Sequence, residues 1–238
     1  MIFVGSAGWN IPRVHKARFA IEGTGLQRYA SRLNAAEINT SFYRPHAIAT
    51  YERWAAAVPS SFRFSVKIPK TITHERGLIR SREPLERFLG EIAGLGPRLG
   101  PLLLQLPPRY AFDARRVGRF LELLRTRHDG PVVCEPRHAS WSTDAASKLL
   151  VRFRVARVAA DPPRVAGFDE PGGWPGIIYY RLHGSPRPYF SPYSSEQVAA
   201  LAATLAAATV DAWCIFDNTG SGSAAGNAID VRERLGAG

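Results

Sequence analysis

Cysteine, methionine and lysine are nearly missing from this 238-residue chain, which holds two cysteines, one methionine and four lysines, Lys16, Lys67, Lys70 and Lys148. The spacing of Cys134 and Cys214 matches no zinc or redox motif, which excludes a disulfide-stapled scaffold and leaves them as core filler in a reduced compartment. No run approaches the roughly eighteen apolar residues that a membrane-spanning helix requires. The start, Met1-Ile2-Phe3-Val4-Gly5-Ser6, enters an apolar stretch without a basic leader or a small-residue cleavage site. The expectation is a cytoplasmic, soluble protein with no membrane partner. Acidic residues are scarce too, 20 against 31 basic ones, for a net charge of +11. That excess suits attraction to nucleic acid or phosphorylated metabolites. Yet all but four of the basic residues are arginine and no arginine run exceeds two, a skew that genome base composition produces without any partner. Both readings stand.

What is present is a chain with 45% hydrophobic and 21% charged residues, enough to build the core of one large α/β domain over residues 1–238. Short β-rich runs at 2–6, 35–39, 62–67, 101–106, 131–135, 154–160, 177–182 and 211–217 alternate with helical patterns. Helices are expected over Leu26–Leu33, Ala47–Val58, Pro84–Ala93, Ala114–Arg127 with Asp113 as N-cap, Thr143–Leu150, Ser195–Ala208 and Ser223–Leu235. Ser194 and Gln197 have capping-box spacing. Eight β-units with crossover helices at this length predict a (β/α)₈ TIM-like barrel rather than a doubly wound sheet. The sixth unit is irregular: four prolines and four glycines in 162–176 replace its helix by a loop.

Strand alternation then sorts side chains by face, since residues two apart share one. Inward faces read Ala35, Glu37 and Asn39; Ser65 and Lys67; Leu103 and Gln105; Val133, Glu135 and Arg137; Tyr179, Arg181 and His183; Ile215 and Asp217, with Asp161 ending the sixth strand. In barrels of this class the reacting groups stand at the C-terminal strand ends, which converge on one mouth. Charges gathered there are costly unless they pair or hold a ligand. The expected catalytic groups are Glu37, Lys67, Glu135, His138, Asp161 and His183. Trp9, Asn39, Tyr43, His74, Gln105, Arg137, Trp141, Arg181, Asp217 and Asn218 are expected to bind substrate. The Gly/Ser segment Asp217–Ser223 before the last helix suits a phosphate.

The pieces Gly5-Ser6-Ala7-Gly8-Trp9, Glu37-Ile38-Asn39-Thr40-Ser41-Phe42-Tyr43, Phe64-Ser65-Val66-Lys67 with Thr73-His74, and Leu104-Gln105-Leu106-Pro107-Pro108 run in a fixed order. They continue with Glu135-Pro136-Arg137-His138-Ala139-Ser140-Trp141, Asp161-Pro162-Pro163, Arg181-Leu182-His183-Gly184, and Phe216-Asp217-Asn218 with Ala225-Gly226-Asn227-Ala228. Together they resemble the YecE-like family, domain of unknown function 72, almost end to end. The resemblance implies a TIM-like barrel and no settled reaction; Ala7 and Asn10 stand where serine is frequent.

Site chemistry predicts an enzyme, a hydrolase or isomerase, acting on a polar, phosphorylated or sugar-containing substrate, with Glu135 and Glu37 as acid and base. Two alternatives remain open: a nucleic-acid or nucleotide binding protein, with or without metal-dependent phosphodiester hydrolysis, and a non-catalytic small-molecule binder. A divalent metal held by His74, His138 and His183 with Glu37, Glu135, Asp161 or Asp217 is conceivable. It is disfavoured because Lys67 and Arg181 would repel a cation. Cofactor and oligomeric state are left unassigned.

Overall fold

Parallel pairing follows chain order almost throughout, as expected when every strand is separated from the next by a crossover. The computed structural model describes residues 1–236. Its strands are β1 (Ile2–Ala7), β2 (Ala35–Ile38), β3 (Arg63–Lys67), β4 (Leu99–Gln105), β5 (Val132–Glu135), β6 (Val155–Arg157), β7 (Ala159–Asp161), β8 (Gly172–Gly173), β9 (Ile177–Leu182) and β10 (Asp211–Phe216). The sheet runs β7-β9-β10-β1-β2-β3-β4-β5-β6-β8.

The two ends of that order are neighbours in sequence. The expected sixth strand is one extended stretch whose first half, β6, pairs with β5 while its second half, β7, pairs with β9. The change of partner falls at Val158, whose N–H still bonds the Cys134 carbonyl at 2.8 Å. The eight expected units therefore close into a TIM-like barrel with its sixth strand divided between neighbours. Residues 162–176 form no helix; Gly172 and Gly173 add a short antiparallel strand to β6.

The outer layer comprises α1 (Gly25–Ala30), α2 (Thr40–Tyr43), α3 (Ile48–Ala56), α4 (Arg82–Ile92), α5 (Ala114–Arg125), α6 (Asp144–Arg152), α7 (Ser195–Ala206) and α8 (Ser223–Gly236). The expected caps form: Asp113 accepts from Arg116 N–H, and Ser194 with Gln197 completes a capping box. The four-residue α2 and the single turn Thr71–Glu75 were not signalled by any period.

Inside the barrel, Phe3, Leu103, Val133, Val158, Ile177, Trp213 and Ile215 form an apolar plug. Phe3 stacks on Trp213 at 4.6 Å between ring centroids. A side chain at Gly100 would place its Cβ 2.6 Å from the Trp213 ring, so glycine there makes room for the indole. Cys134 and Cys214 face the helix layer, buried and unpaired by disulfide, as alternation requires. No described helix is long and apolar enough to cross a membrane.

Candidate functional site

Above the plug, the inward positions of β2, β3, β4, β5, β9 and β10 turn polar at or beside the strand's end, as Glu37, Lys67, Gln105, Glu135, Arg181 and Asp217. Arg181, at the end of β9, is fully buried. Its Nε and Nη2 donate to Glu37 Oε2 and Oε1 at 3.0 and 2.7 Å. Nη1 donates to Glu135 Oε2 at 2.8 Å and Nη2 also to Asp217 Oδ2 at 3.0 Å. Three strands, β2, β5 and β10, are thus tied through a fourth by one planar group. Tyr179, two residues earlier on the same face, donates to Glu37 Oε2 and accepts from the Ser65 hydroxyl, both at 2.8 Å.

Glu135 is saturated. Its Oε2 also accepts from Gln105 Nε2 at 2.8 Å, while Oε1 receives Arg137 Nε at 2.8 Å and lies 2.6 Å from Arg137 Nη2. Burial works to raise its pKa, but Arg181, Arg137 and His183 hold the carboxyl well below its ordinary value. Glu37 is wholly buried under Arg181 and Tyr179. Both glutamates accordingly form a fixed ionic frame, which differs from the acid and base pair that the sequence suggested: every carboxylate oxygen of the two is already held by an arginine, amide or hydroxyl partner. Replacing Tyr179 by phenylalanine leaves the Glu37 and Ser65 oxygens short of one partner each. A loss of about 1–3 kcal/mol is expected in urea unfolding at neutral pH, and no loss would mean the bonds contribute nothing net.

The groups left with chemical freedom surround this frame. His183 Nδ1 bonds Asp217 Oδ2 at 3.1 Å and its Nε2 lies 3.4 Å from Glu135 Oε1. Burial would lower its pKa, yet the Asp217 and Glu135 contacts raise it, favouring the imidazolium. Asp217 is pulled the other way: burial raises it, while Arg181 and His183 keep it lowered. Lys67, only 7% exposed at the end of β3, sits with Nζ 4.0 Å above the Phe42 ring. Among the described residues it has no carboxylate within ion-pair distance. Desolvation and Arg181 lower its pKa to about 8, against the opposing pull of Glu37, Glu135 and Asp217. His74 joins the rim, edge-on to Phe42, its pKa lowered to about 4 by burial and by Lys67, Arg137 and Arg109.

Beside His183 opens a cavity of about 180 Å³ lined by Glu135, Arg137, Val158, Ala160, Arg164, Phe168 and Tyr189. The Tyr189 ring stands edge-on to His183 at 5.5 Å. Tyr179 and Ser65 were legible as inward positions, though nothing marked them as site residues. Arg164 and Phe168 come from the loop after β7 and had no sequence signal at all.

Several expected site residues lie elsewhere. Asp161 faces outward, because the inward positions of its stretch are Ala156, Val158 and Ala160; it lines a cavity on the helix side with Tyr180 and Leu182. His138 folds back to accept from Ser140 N–H at 3.1 Å and caps the turn Ala139–Trp141. Trp141 is buried packing, with Nε1 donating to the Tyr110 carbonyl at 3.1 Å. Asn218 points away from Asp217 and donates to Ser191 O and Asn227 Oδ1. Asn39 has helical φ and ψ of −92° and −16°, which breaks the alternation. It turns with Trp9 into a separate cavity of about 640 Å³ bounded by Arg44, His46 and Trp54. Tyr43 is 69% exposed on the outer side. In the Gly/Ser segment, the Gly220 and Gly222 N–H groups bond Tyr189 O and Thr219 O, so they are turned inward rather than offered to a phosphate. Among the described residues no three His, Cys, Asp or Glu side chains converge on a position fit for a metal ion. At the mouth, Arg181 occupies the place where one would sit.

The profile of the family described as "Protein of unknown function DUF72" matches residues 3–238. The UPF0759 protein YecE of Escherichia coli (strain K12) is 34% identical over 110 residues, 46% of this chain and 39% of that protein. The matched stretch thus spans well under two thirds of that relative. A DUF72 family protein from Enterococcus faecalis V583 superposes with a TM-score of 0.82 at 21% identity, covering 99% of this chain and 96% of the other. The barrel of β-mannanase from the blue mussel Mytilus edulis gives a TM-score of 0.51 at 10% identity over 98% of this chain and 91% of the other. These structural likenesses concern the fold.

Proposed function

The chain belongs to the DUF72 family, whose description carries no reaction, and we propose from the site itself that it is an enzyme: a hydrolase or isomerase of a small polar substrate bearing an anionic group. The observation that carries this reading is Lys67. The buried carboxylates at the mouth are locked into the Arg181 frame, while this amine is desolvated, has no ion-pair partner among the described residues and is able to change protonation near neutral pH. A frame that holds its own charges rigid costs little to reorganise, so it can keep proton carriers at its edge in a fixed field.

In this reading Arg137, Arg164 and the His183 imidazolium line the cavity and hold the substrate anion, a phosphate or carboxylate. Lys67 takes the proton, and His183, oriented by Asp217, returns one. The amine works as a base only once deprotonated and His183 as an acid only while protonated, so kcat/KM should climb as pH rises toward about 8 and fall again where His183, whose pKa is raised, loses its proton. The test is turnover of a panel of sugar phosphates and small hydroxy and keto acids, followed by Lys67→Met and His183→Gln on whatever substrate emerges. A substrate that Lys67→Met converts at the wild-type rate would sink the assignment.

A further inference from the structure

Arginines are spread over this surface, and only some of them have an acidic partner. On the face formed by Arg18, Arg32 and α8, each is matched by an acid: Arg18 pairs with Asp230 and Glu233 at 2.7 and 2.8 Å, and Arg32 with Glu233 at 2.7 Å. Along α5 and the start of α4 the matching fails. A groove of about 860 Å³ is lined there by Arg80, Arg82, Arg115, Arg116, Arg119 and Arg127. Arg127 pairs with Glu86 at 2.7 Å and Arg116 reaches Asp113 only at 3.9 Å. The other four have no ion pair within 4.0 Å among the described residues. Arginines without an ion pair occur elsewhere on the described surface too, Arg13, Arg44, Arg53 and Arg152 among them; what sets this groove apart is that six arginines line one concavity, against Asp113 and Glu122 as the acids on its wall.

The local backbone adds a second, independent sign. The turn leading into α4 holds Gly77, Leu78 and Arg80 at φ of 53°, 68° and 49°, in the left-handed region that leucine and arginine avoid. It is pinned from several sides: Arg76 Nη1 donates to the Arg80 carbonyl at 2.7 Å, and the Tyr110 hydroxyl to the Gly77 carbonyl at 3.2 Å. The strained turn holds Arg80 and the 47% exposed Ile79 at the groove's edge.

We propose that this α4–α5 groove binds the phosphate backbone of a single-stranded nucleic acid, at a site separate from the barrel mouth. The lining follows α5 and its flanks from Asp113 to Arg127, roughly 21 Å at 1.5 Å per residue, enough for a few successive phosphates. Planar guanidinium groups both pair with phosphate and stack on bases, and Ile79 and Leu123 offer apolar surface between them. A concave groove between two helices admits a single strand and excludes the wide cylinder of a duplex. An acidic protein segment could meet the charge, but it has no use for stacking surface spaced among the arginines.

The experiment is fluorescence anisotropy of the full chain with labelled ten-nucleotide single-stranded RNA, single-stranded DNA and duplex DNA, across a salt series. With four phosphates neutralised, log K against log salt should fall with a slope of about −3, since a single strand contributes roughly −0.7 per contact. Arg115→Ser with Arg119→Ser should halve that slope and weaken binding at least tenfold. Arg18→Ser, on the paired face, should change neither. Preference for RNA would point to the ribose hydroxyl, and equal binding of RNA and DNA to the backbone; both support the assignment. Tighter binding of the duplex, equal binding of a glutamate-rich peptide, or a slope unaltered by the double substitution would overturn it. The arginines are exposed, so an unchanged thermal melt confirms that the double variant is folded. Unaltered binding by Lys67→Met separates the groove from the mouth.

Discussion

Arg181→Met is expected to lose about 4–5 kcal/mol of stability at neutral pH, the upper range for severing a buried ion pair, because it strands three carboxylates instead of one. The pH dependence carries the sharper signature. In the native protein Glu135 and Asp217 titrate below their ordinary values of 4.5 and 3.8, so their contribution is full above those values and is lost as pH falls through the folded ones. Without Arg181 the main lowering influence is gone and desolvation dominates, which raises both groups. The variant's deficit should then shrink as pH drops from 7.5 toward 5, a window in which these two groups leave the native protein's stability unchanged. Urea midpoints at the two pH values measure this directly. A variant with a near-native midpoint at pH 7.5 would show that the frame contributes little. Adding Glu37→Gln and Glu135→Gln to Arg181→Met should recover part of the loss, since neutral amides tolerate the missing cation.

Lys67→Met should do the opposite, gaining roughly 3 kcal/mol at pH 7, at 1.36 kcal/mol for each unit between 10.5 and about 8. The sign follows from proton counts. At pH 7 the amine is charged in both states, and the folded state carries the full cost of a buried, unpaired ammonium. Between about 8 and 10.5 the unfolded chain still holds a proton that the folded protein has released, so native stability rises with pH. Above that range the amine is neutral in both states and the advantage of methionine vanishes. The same substitution removes the base of the proposed reaction, so turnover should fall roughly 10²–10⁴-fold. A destabilised Lys67→Met would mean that the amine is held by favourable contacts, and its assignment as a strained functional group would fail.

The barrel was readable in the chain because eight apolar runs alternate with helical patterns, and because period-two alternation separates Cys134 from Glu135 and Leu182 from Arg181 with no further information. The same rule placed Lys67, Gln105, Glu135, Arg181, His183 and Asp217 at one mouth. It misled where a strand ended early. Asn39 bends into α2 and leaves the face it was counted on, and Asp161 was grouped by its place at a strand end although its parity is outward. Chemistry misled it as well. His138, Trp141 and Asn218 look like ligand-binding types, yet each satisfies a neighbouring backbone or amide group, which residue type alone does not reveal. Nor could the sequence show that Glu37 and Glu135 would be used up by Arg181, for that depends on three carboxylates converging from strands far apart in the chain.

The divided sixth strand gives the ring a clasp. No other described strand changes partner along its length. Here three residues hold one side and three the other, with Val158 between. Val158 and Ala160, one from the joint and one from the second half, form a wall of the 180 Å³ cavity. A molecule seated there would lean on the fastening itself, so that filling the cavity and locking the hoop become a single event, and the empty protein would breathe first at this joint.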